Sequence, residues 1–225
     1  MTTPLLQARN LSKKYVLSGN HTVHALQDAS MELNKGSWLT ITGPSGSGKS
    51  TLLALLAGLD RPTSGEVLLE GTNISQANDV RLANYRKNKI GIIFQEYQLF
   101  EELSSLENVS MPLVVSNMTI KQRHAKAMHL LDTVGLADRA THLPRQLSGG
   151  ERQRVAVARA LVRDPEIIFA DEPTSNIDQK AADTVMGLFH SFKDAGKSLI
   201  VVSHSEQLSM AADIQIQMES GRIVQ

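Results

Sequence analysis

The chain contains no cysteine. Disulfides, cysteine-liganded zinc and iron–sulfur clusters are therefore excluded, and a reducing cytosol fits the composition. Neither sign of charge is in excess. Lys plus Arg and Asp plus Glu number 23 each, for a formal net charge of zero. That gives no support to a global pull toward nucleic acid or anionic lipid, and no nucleic-acid partner is expected. No apolar run approaches the length of a membrane span. The first nine residues lack the basic-then-apolar order of a signal peptide. The expectation is a soluble protein that meets a membrane only through a partner or its surface. Internal repeats and low-complexity linkers are missing as well. At 225 residues the chain makes one large domain or two small ones, with a sizeable core.

What the chain does have is Gly43-Pro44-Ser45-Gly46-Ser47-Gly48-Lys49-Ser50, followed by Thr51. This fits G-x-x-x-x-G-K-[ST], the loop that cradles a nucleotide's phosphates. The apolar run Ser37 to Thr42 before it reads as a buried strand. Lys49 to Ala57 after it reads as a helix, stopped by Gly58. Glycines let backbone N–H groups turn onto the phosphates, and the helix N-terminus adds partial positive charge. Lys49 is placed to reach the β- and γ-phosphates, and the Ser50 hydroxyl to hold Mg²⁺. The alternative is an ordinary glycine turn before a core helix, which the strand-to-helix setting disfavours. Kinases, GTPases, helicases and transporter ATPases all share the pattern.

Strands are expected at Leu5 to Leu11 and Val23 to Leu33, around a polar loop Ser18 to His21. Another follows at Glu66 to Leu69, after the turn Pro62 to Gly65. Asp79 to Lys89 reads as a polar helix and Ile90 to Phe94 as a buried strand. From Gln95 to about Arg163 strand signals nearly vanish. Helices at Met118 to Val134 and Glu151 to Val162 suggest a helical insertion. The sheet pattern returns at Glu166 to Ala170 and Ser198 to Val202, with a helix Gln179 to Asp194 between them. Ile214 to Met218 and Arg222 to Val224 form a closing hairpin. Apolar strands alternating with helices imply a parallel sheet covered on both faces.

Two further segments carry chemistry. Asp171-Glu172 follows the apolar run ending at Ala170, and so sits where α/β sheets bind ligands. Asp171 would hold Mg²⁺ and Glu172 would polarise an attacking water; the bland reading is a turn start before Pro173. Leu147-Ser148-Gly149-Gly150-Glu151 is a second anion-ready helix N-terminus. Its bland reading is a capping box, since Ser148 and Glu151 have the S-x-x-E spacing.

Gly43 to Ser50, Gln95, Leu147 to Glu151, Ile167 to Glu172, Asp178 and His204 come in the order and spacing of an ATP-binding cassette (ABC) ATPase. The chain resembles that family over nearly its whole length. Leu147 to Glu151 is the most diagnostic piece. Locally it is similar to the lipoprotein-release, macrolide-efflux and cell-division group of bacterial ABC ATPases. The segments concerned are Leu59 to Gly65, Gly91 to Gln95, Leu106 to Val109, Met111 to Leu113 and Asp171 to Thr174. Ser175, Ile177, Ser205 and Glu96-Tyr97 depart from that group's usual residues without removing a catalytic group.

The resemblance implies an α/β fold: a P-loop NTPase (RecA-like) parallel-sheet core, an N-terminal antiparallel β subdomain and an inserted α-helical subdomain. It implies one domain over 1–225, with core and β subdomain at about 1–95 and 164–225 and the helical part at about 96–163. Tyr15 matches the aromatic that stacks on adenine. Gln95 matches the glutamine that senses Mg²⁺ and the attacking water, and the segment after it contacts a permease. His204 matches the γ-phosphate contact and Asp178 the acidic residue that crosses a dimer interface. His21, His24, His124, His129, His142 and His190 match no such position and read as surface or structural. Two copies would close head to tail on two Mg-ATP. Each nucleotide would lie between Lys49, Ser50, Asp171, Gln95, Glu172 and His204 of one copy and Ser148, Gly149 and Gly150 of the other. The implied protein is the ATP-hydrolysing subunit of a transporter, peripheral on the cytoplasmic face of the plasma membrane, driving membrane permease subunits. A non-transport ABC ATPase acting on nucleic acid or ribosomes is the alternative. The chain lacks the coiled-coil or zinc insertion of the former and the second cassette of the latter. A hydrolysis-dead binding module would lack Glu172 or His204. In the segment after Gln95, Leu99 is expected to be core and Tyr97 an exposed anchor for the permease.

Overall fold

The computed structural model describes residues 3–16 and 22–224. The expected loop Ser18 to His21 lies outside them. Two antiparallel strands open the chain, β1 (Leu6–Val16) and β2 (Thr22–Leu33). In β1 the buried residues are Leu6, Ala8 and then Leu11, which breaks the period of two. The cause is a bulge: the register shifts between Ala8 and Leu11, and Asn10 takes a positive φ of 49°. The partner strand makes the same switch between Leu26 and Ala29, where Asp28 has φ 51°. Each bulge returns the apolar set to one face, so a strand longer than the apolar run Leu5 to Leu11 still serves one core.

β3 (Trp38–Thr42) then feeds the glycine loop and α1 (Lys49–Leu56), with Gly58 at φ 64° just past its end. β4 (Ser64–Leu69) and β5 (Thr72–Asn73) return to the first sheet, whose order is β2-β1-β4-β5 with every pair antiparallel. α2 (Asp79–Lys89) starts where expected because Asn78 accepts from the Arg81 N–H, and it leads into β6 (Ile90–Ile93). No strand follows until residue 167. The intervening helices are α3 (Ser105–Ser110), α4 (Ile120–Thr133) and α5 (Gly149–Leu161). β7 (Ile167–Asp171), α6 (Gln179–Asp194), β8 (Ser198–Val202), α7 (Glu206–Ala211), β9 (Ile214–Glu219) and β10 (Arg222–Ile223) complete the chain.

The second sheet has the order β10-β9-β3-β8-β7-β6, parallel except for the last hairpin strand. Its two faces serve two cores. Ile167 and Phe169 of β7, Ile200 and Val202 of β8, and Leu39 and Ile41 of β3 pack toward the first sheet and α1. Ile168, Ala170, Leu199 and Val201 point the other way, to α3 through α6. Alternating side chains that are all buried explain why these strands read as unbroken apolar runs.

Some details differ from the sequence reading. β5, α3 and α7 were not expected; at two and six residues they are too short to show a period. α4 starts at Ile120 rather than Met118, where Thr119 caps it. α5 begins at Gly149 rather than Glu151, because Ser148 is its cap and the glycines are its first turn. The closing hairpin is more than a cover, since β9 extends the central sheet beside β3.

Candidate nucleotide site

The C-terminal ends of β3, β6, β7 and β8 converge on one edge of the central sheet, where such sheets bind ligands. β3 delivers the glycine loop. Gly43 and Gly48 have φ 142° and 99°, and both are pinned by backbone. A Cβ at Gly43 would stand 2.2 Å from the Met218 carbonyl oxygen of β9, and one at Gly48 2.4 Å from that of Ala25 in β2. Gly221, in the turn after β9, donates its N–H to the Ser47 carbonyl at 3.0 Å. The final hairpin thus braces the loop from beneath. Gly48 caps α1 in the left-handed region and offers no side chain. Among the described hydrogen bonds, the N–H groups of Gly48, Lys49, Ser50 and Thr51 have no acceptor. Their free donors and the helix dipole are what an anion requires.

The Lys49 ammonium folds back over this loop and donates to the carbonyls of Gly43 at 2.8 Å and Pro44 at 2.9 Å. Asp171 is the last residue of β7 and Glu172 the next, with a positive φ of 46° and its N–H donated to Val202 at 2.9 Å. His204 follows β8, and its Nε2 lies 3.3 Å from Glu172 Oε1. Burial pushes both carboxyls above their ordinary values. For Asp171 a Ser50 hydrogen bond and the Lys49 charge oppose this; for Glu172 the His204 and Lys49 charges do. Gln95 stands two residues beyond β6.

Ser45, Gly46, Gly48, Lys49, Ser50, Thr51, Gln95, Glu172 and His204 line one cleft of about 610 Å³. Of the residues expected at the site, Gly43, Pro44, Ser47 and Asp171 are not in that lining: Gly43 and Ser47 face the β9–β10 hairpin, the Pro44 carbonyl accepts from Lys49, and Asp171 lies beside Ser50. His24, read as surface or structural, is exposed on the cleft wall; His190 stacks edge-on to Trp38, ring centroids 5.5 Å apart. At the site itself, the buried Ser47 Oγ and Asp171 Oδ1 have no partner. With the Ser50 hydroxyl and the Gln95 amide, Asp171 makes an all-oxygen donor set that suits Mg²⁺. Among the described residues no three His, Asp or Glu side chains cluster as a metal cage. That is consistent with Mg²⁺, which takes one or two carboxylates and fills its shell with water and phosphate.

Ser148, Gly149, Gly150 and Asp178 do not reach this cleft. They lie at the N-terminal ends of α5 and α6, where Ser148, Gly150 and Asp178 line a separate depression. Ser148 and Glu151 close a reciprocal capping box, and Asp178 caps α6 by accepting from Ala181 at 2.9 Å. The N–H groups of Gly149 and Gly150 have no acceptor among the described hydrogen bonds. A Cβ at Gly150 would stand 2.6 Å from that of Ala181, which keeps the helix ends close. Tyr15 lies outside the cleft lining, near the far end of β1; its hydroxyl donates to Asp60 Oδ2 at 2.9 Å.

Tyr97 is not the exposed anchor that its position after Gln95 suggested. It is half-buried, with its ring 5.3 Å from the Arg152 guanidinium and its hydroxyl 3.2 Å from the Asn176 carbonyl. Arg159 donates to the carbonyls of Tyr97 and Gln98, which both have positive φ. Leu99 packs against the second core as expected. Asp60 entered the sequence reading only as part of the family-like segment Leu59 to Gly65, and Arg159 not at all, because the partners that give them a role lie 45 and 62 residues away.

Comparison with known proteins identifies the family and the fold. A family profile described as "ABC transporter" matches residues 26–175. An uncharacterized ABC transporter ATP-binding protein of Thermotoga maritima is 47% identical over 205 residues, covering 91% of this chain and 88% of that one. The macrolide export ATP-binding/permease protein MacB of Hyphomonas neptunium is 40% identical over 224 residues. The match covers 100% of this chain and only 35% of that longer protein. Two dimeric structures of the ABC transporter cassette MJ0796, one a post-hydrolysis state bound to ADP and Pi, superimpose at TM-scores of 0.93 and 0.92. Each is 36% identical and covers 98% of this chain and 97% of its own. The chain belongs to the ABC transporter family, as an ATP-binding cassette.

Proposed function

We propose that two copies of this chain close head to tail on two Mg-ATP, hydrolyse them, and so drive a membrane permease from its cytoplasmic face. One observation carries this reading. The cleft gathers Lys49, Ser50, Gln95, Glu172 and His204, while the unpartnered N–H groups of Gly149 and Gly150 lie outside it. Each copy then holds two half-sites, and a second copy completes both. Within the chain, 1–95 and 164–225 act as core and β subdomain, and 96–163 as the helical part that carries Ser148 to Gly150.

In this reading the open N–H groups of α1 bind the phosphates and Lys49 turns from the Gly43 and Pro44 carbonyls to the β- and γ-phosphates. Ser50, Asp171 and Gln95 hold Mg²⁺. When bound, the ion neutralises charge on the phosphate oxygens. Glu172 orients and polarises the attacking water, with its carboxylate kept in place by His204, which also reaches the γ-phosphate. Tyr15 stacks on adenine. The partner's Gly149 and Gly150 N–H groups close on the γ-phosphate, so a lone copy hydrolyses slowly. Positioning and charge neutralisation suffice for this reaction.

The permease contact shifts from Tyr97 to its neighbours. Phe100, Met111 and Val115 are exposed at 47%, 37% and 65%, and with Pro112 they line an apolar groove of about 460 Å³ beside α2 and α5. An apolar cytoplasmic segment of the permease fits there. Among the described residues no helix is long and apolar enough to cross a membrane.

Glu172→Gln tests the central claim. It keeps shape and removes the water-polarising carboxylate, a loss of about 10²–10⁴-fold in rate. Mg-ATP should still bind, and a stable dimer should accumulate in sedimentation. A variant that stays monomeric at high concentration, or hydrolyses at the wild-type rate, overturns the shared site.

A further inference from the structure

Beyond the phosphate site, one polar cluster ties distant segments together. Asp60 lies just past α1, where its N–H and that of Leu59 both donate to the Ala54 carbonyl, at 3.3 and 2.9 Å. Its carboxylate receives three donors from two other places in the chain. They are the Tyr15 hydroxyl at 2.9 Å, the Lys13 ammonium at 2.7 Å and the Arg61 N–H at 2.7 Å. Lys13 also donates to the Arg61 carbonyl at 2.7 Å and stands 4.9 Å from the centre of the Tyr15 ring. The hydroxyl of Tyr15 is therefore anchored and one ring face carries a cation. Tyr15 pairs across the sheet with Val23, and Val23, His24 and Thr51 line the nucleotide cleft. A tyrosine 37% exposed at a strand end would otherwise sample several rotamers.

We propose that Asp60 is a positioning residue for the nucleotide base: it fixes Tyr15, through the hydroxyl and through Lys13, as a rigid platform beside the cleft. The inference rests on the reading of Tyr15 as the adenine-stacking residue. It adds that α1 works at both ends. Its N-terminus presents N–H groups to the phosphates, and the turn at its C-terminus sets the distance to the base. An anchored ring loses no rotamer entropy on binding, which strengthens stacking without any contact between Asp60 and the nucleotide. A nucleotide with a purine base gains from this; a bare polyphosphate does not.

The test compares Mg-ATP with Mg-tripolyphosphate, by calorimetry, for wild type, Tyr15→Ala, Asp60→Ala, Asp60→Asn and the Tyr15→Ala/Asp60→Ala pair. Removing a stacking aromatic costs about tenfold in affinity. Asp60→Ala should lose several-fold for ATP, retain its tripolyphosphate affinity, and raise KM more than it lowers kcat. The double variant should bind ATP no worse than Tyr15→Ala alone. Asp60→Asn keeps its oxygen for Lys13 and the Arg61 N–H and turns its amide N–H to the Tyr15 oxygen, so the tie to the ring persists with the bond reversed; it should recover most of the loss, which a merely structural role would not predict. Loss of ATP affinity in Tyr15→Ala with none in Asp60→Ala overturns this inference and leaves stacking intact. An unchanged Tyr15→Ala overturns stacking itself, and the inference with it. Equal losses for ATP and tripolyphosphate in Asp60→Ala show that Asp60 acts on the phosphate loop, and overturn its role as a platform anchor.

Discussion

The N-termini of α1 and α5 carry the same equipment and are finished differently. Both combine glycines, serines and an open helix end. At α1 the cap is Gly48, no side chain accepts from the first turn, and the buried Ser47 hydroxyl has no partner. At α5 the chain closes its own capping box through Ser148 and Glu151, leaving only the Gly149 and Gly150 N–H groups free. The first end keeps its donors open and carries no side-chain cap. The second is capped within the chain and, in the proposed dimer, would add two donors to the nucleotide of the other copy. That division fits a site in which one copy binds and the other licenses hydrolysis. An element that must bind first is preorganised and open; one that must move and dock keeps its fold while unoccupied.

The sharpest break in the comparison is Lys49→Ala. Its ammonium is folded onto the α1 loop, and charge-assisted hydrogen bonds contribute about 1.5–3 kcal/mol each. ATP affinity should fall at least tenfold. Calorimetry reads the affinity and thermal unfolding the fold. Undiminished binding by a folded variant would remove α1 from the primary role.

Ser148→Ala acts on the other end and should separate binding from turnover. Losing an N-cap costs about 1 kcal/mol, or a Tm lower by about 2–4 °C. The isolated chain should bind Mg-ATP normally, because Ser148 lies outside its own cleft. Hydrolysis at high protein concentration should drop. A variant that loses ATP affinity as a monomer would show that both ends serve one copy's nucleotide.

Asp171→Asn should move stability in the opposite direction. Asp171 Oδ1 is buried without a partner, and burial raises the carboxyl's pKa. A raised acid favours the fold while protonated and destabilises it once ionised, as at neutral pH. The neutral amide should therefore raise Tm by about 2–4 °C in metal-free buffer, equivalent to roughly 1 kcal/mol, while hydrolysis is lost. A lower Tm would mean that the loop's unpartnered oxygens carry no cost.

Both ends were visible in the sequence, and so was most of the sheet. The strands β3, β7 and β8 are buried on both faces, so their apolar runs are unambiguous, and functional residues then fall at their C-terminal ends. α2 and α6 have the bounds expected because Asn78, Asp178 and Ala195-Gly196 punctuate them. What escaped depends on contacts between distant segments. Tyr97 looks like a surface anchor until α5 brings Arg152 over its ring and the loop after Glu172 brings Asn176 to its hydroxyl. Asp60 sits in an ordinary turn between Gly58 and Pro62, and nothing local tells that Tyr15 and Lys13 fold onto it. The bulges in β1 and β2 hide one strand's length in the same way, since the period of two fails within the strand.

The smallest expected effect concerns charge within the α5 cap. The Glu151 carboxylate accepts the Ser148 N–H at 2.8 Å, and this bond leads in holding its pKa below the ordinary value. Burial opposes it; the Ser148 hydroxyl and Arg139 add to it. A depressed acid contributes stability that is present above its unfolded pKa and lost as pH falls through the folded one. An anionic side chain in a helix's first turn contributes about 0.3–1 kcal/mol. Glu151→Gln keeps an acceptor for the Ser148 N–H and deletes the charge together with the exposed Arg139 ion pair, so its Tm deficit should be about 1–4 °C at neutral pH. The deficit should shrink to nothing as the buffer is acidified through the carboxylate range. α1 has no acidic residue in its first turn that could titrate in this way. A Glu151→Gln deficit constant across that range would mean that the box holds by shape alone, and that the two helix ends differ in capping but not in charge.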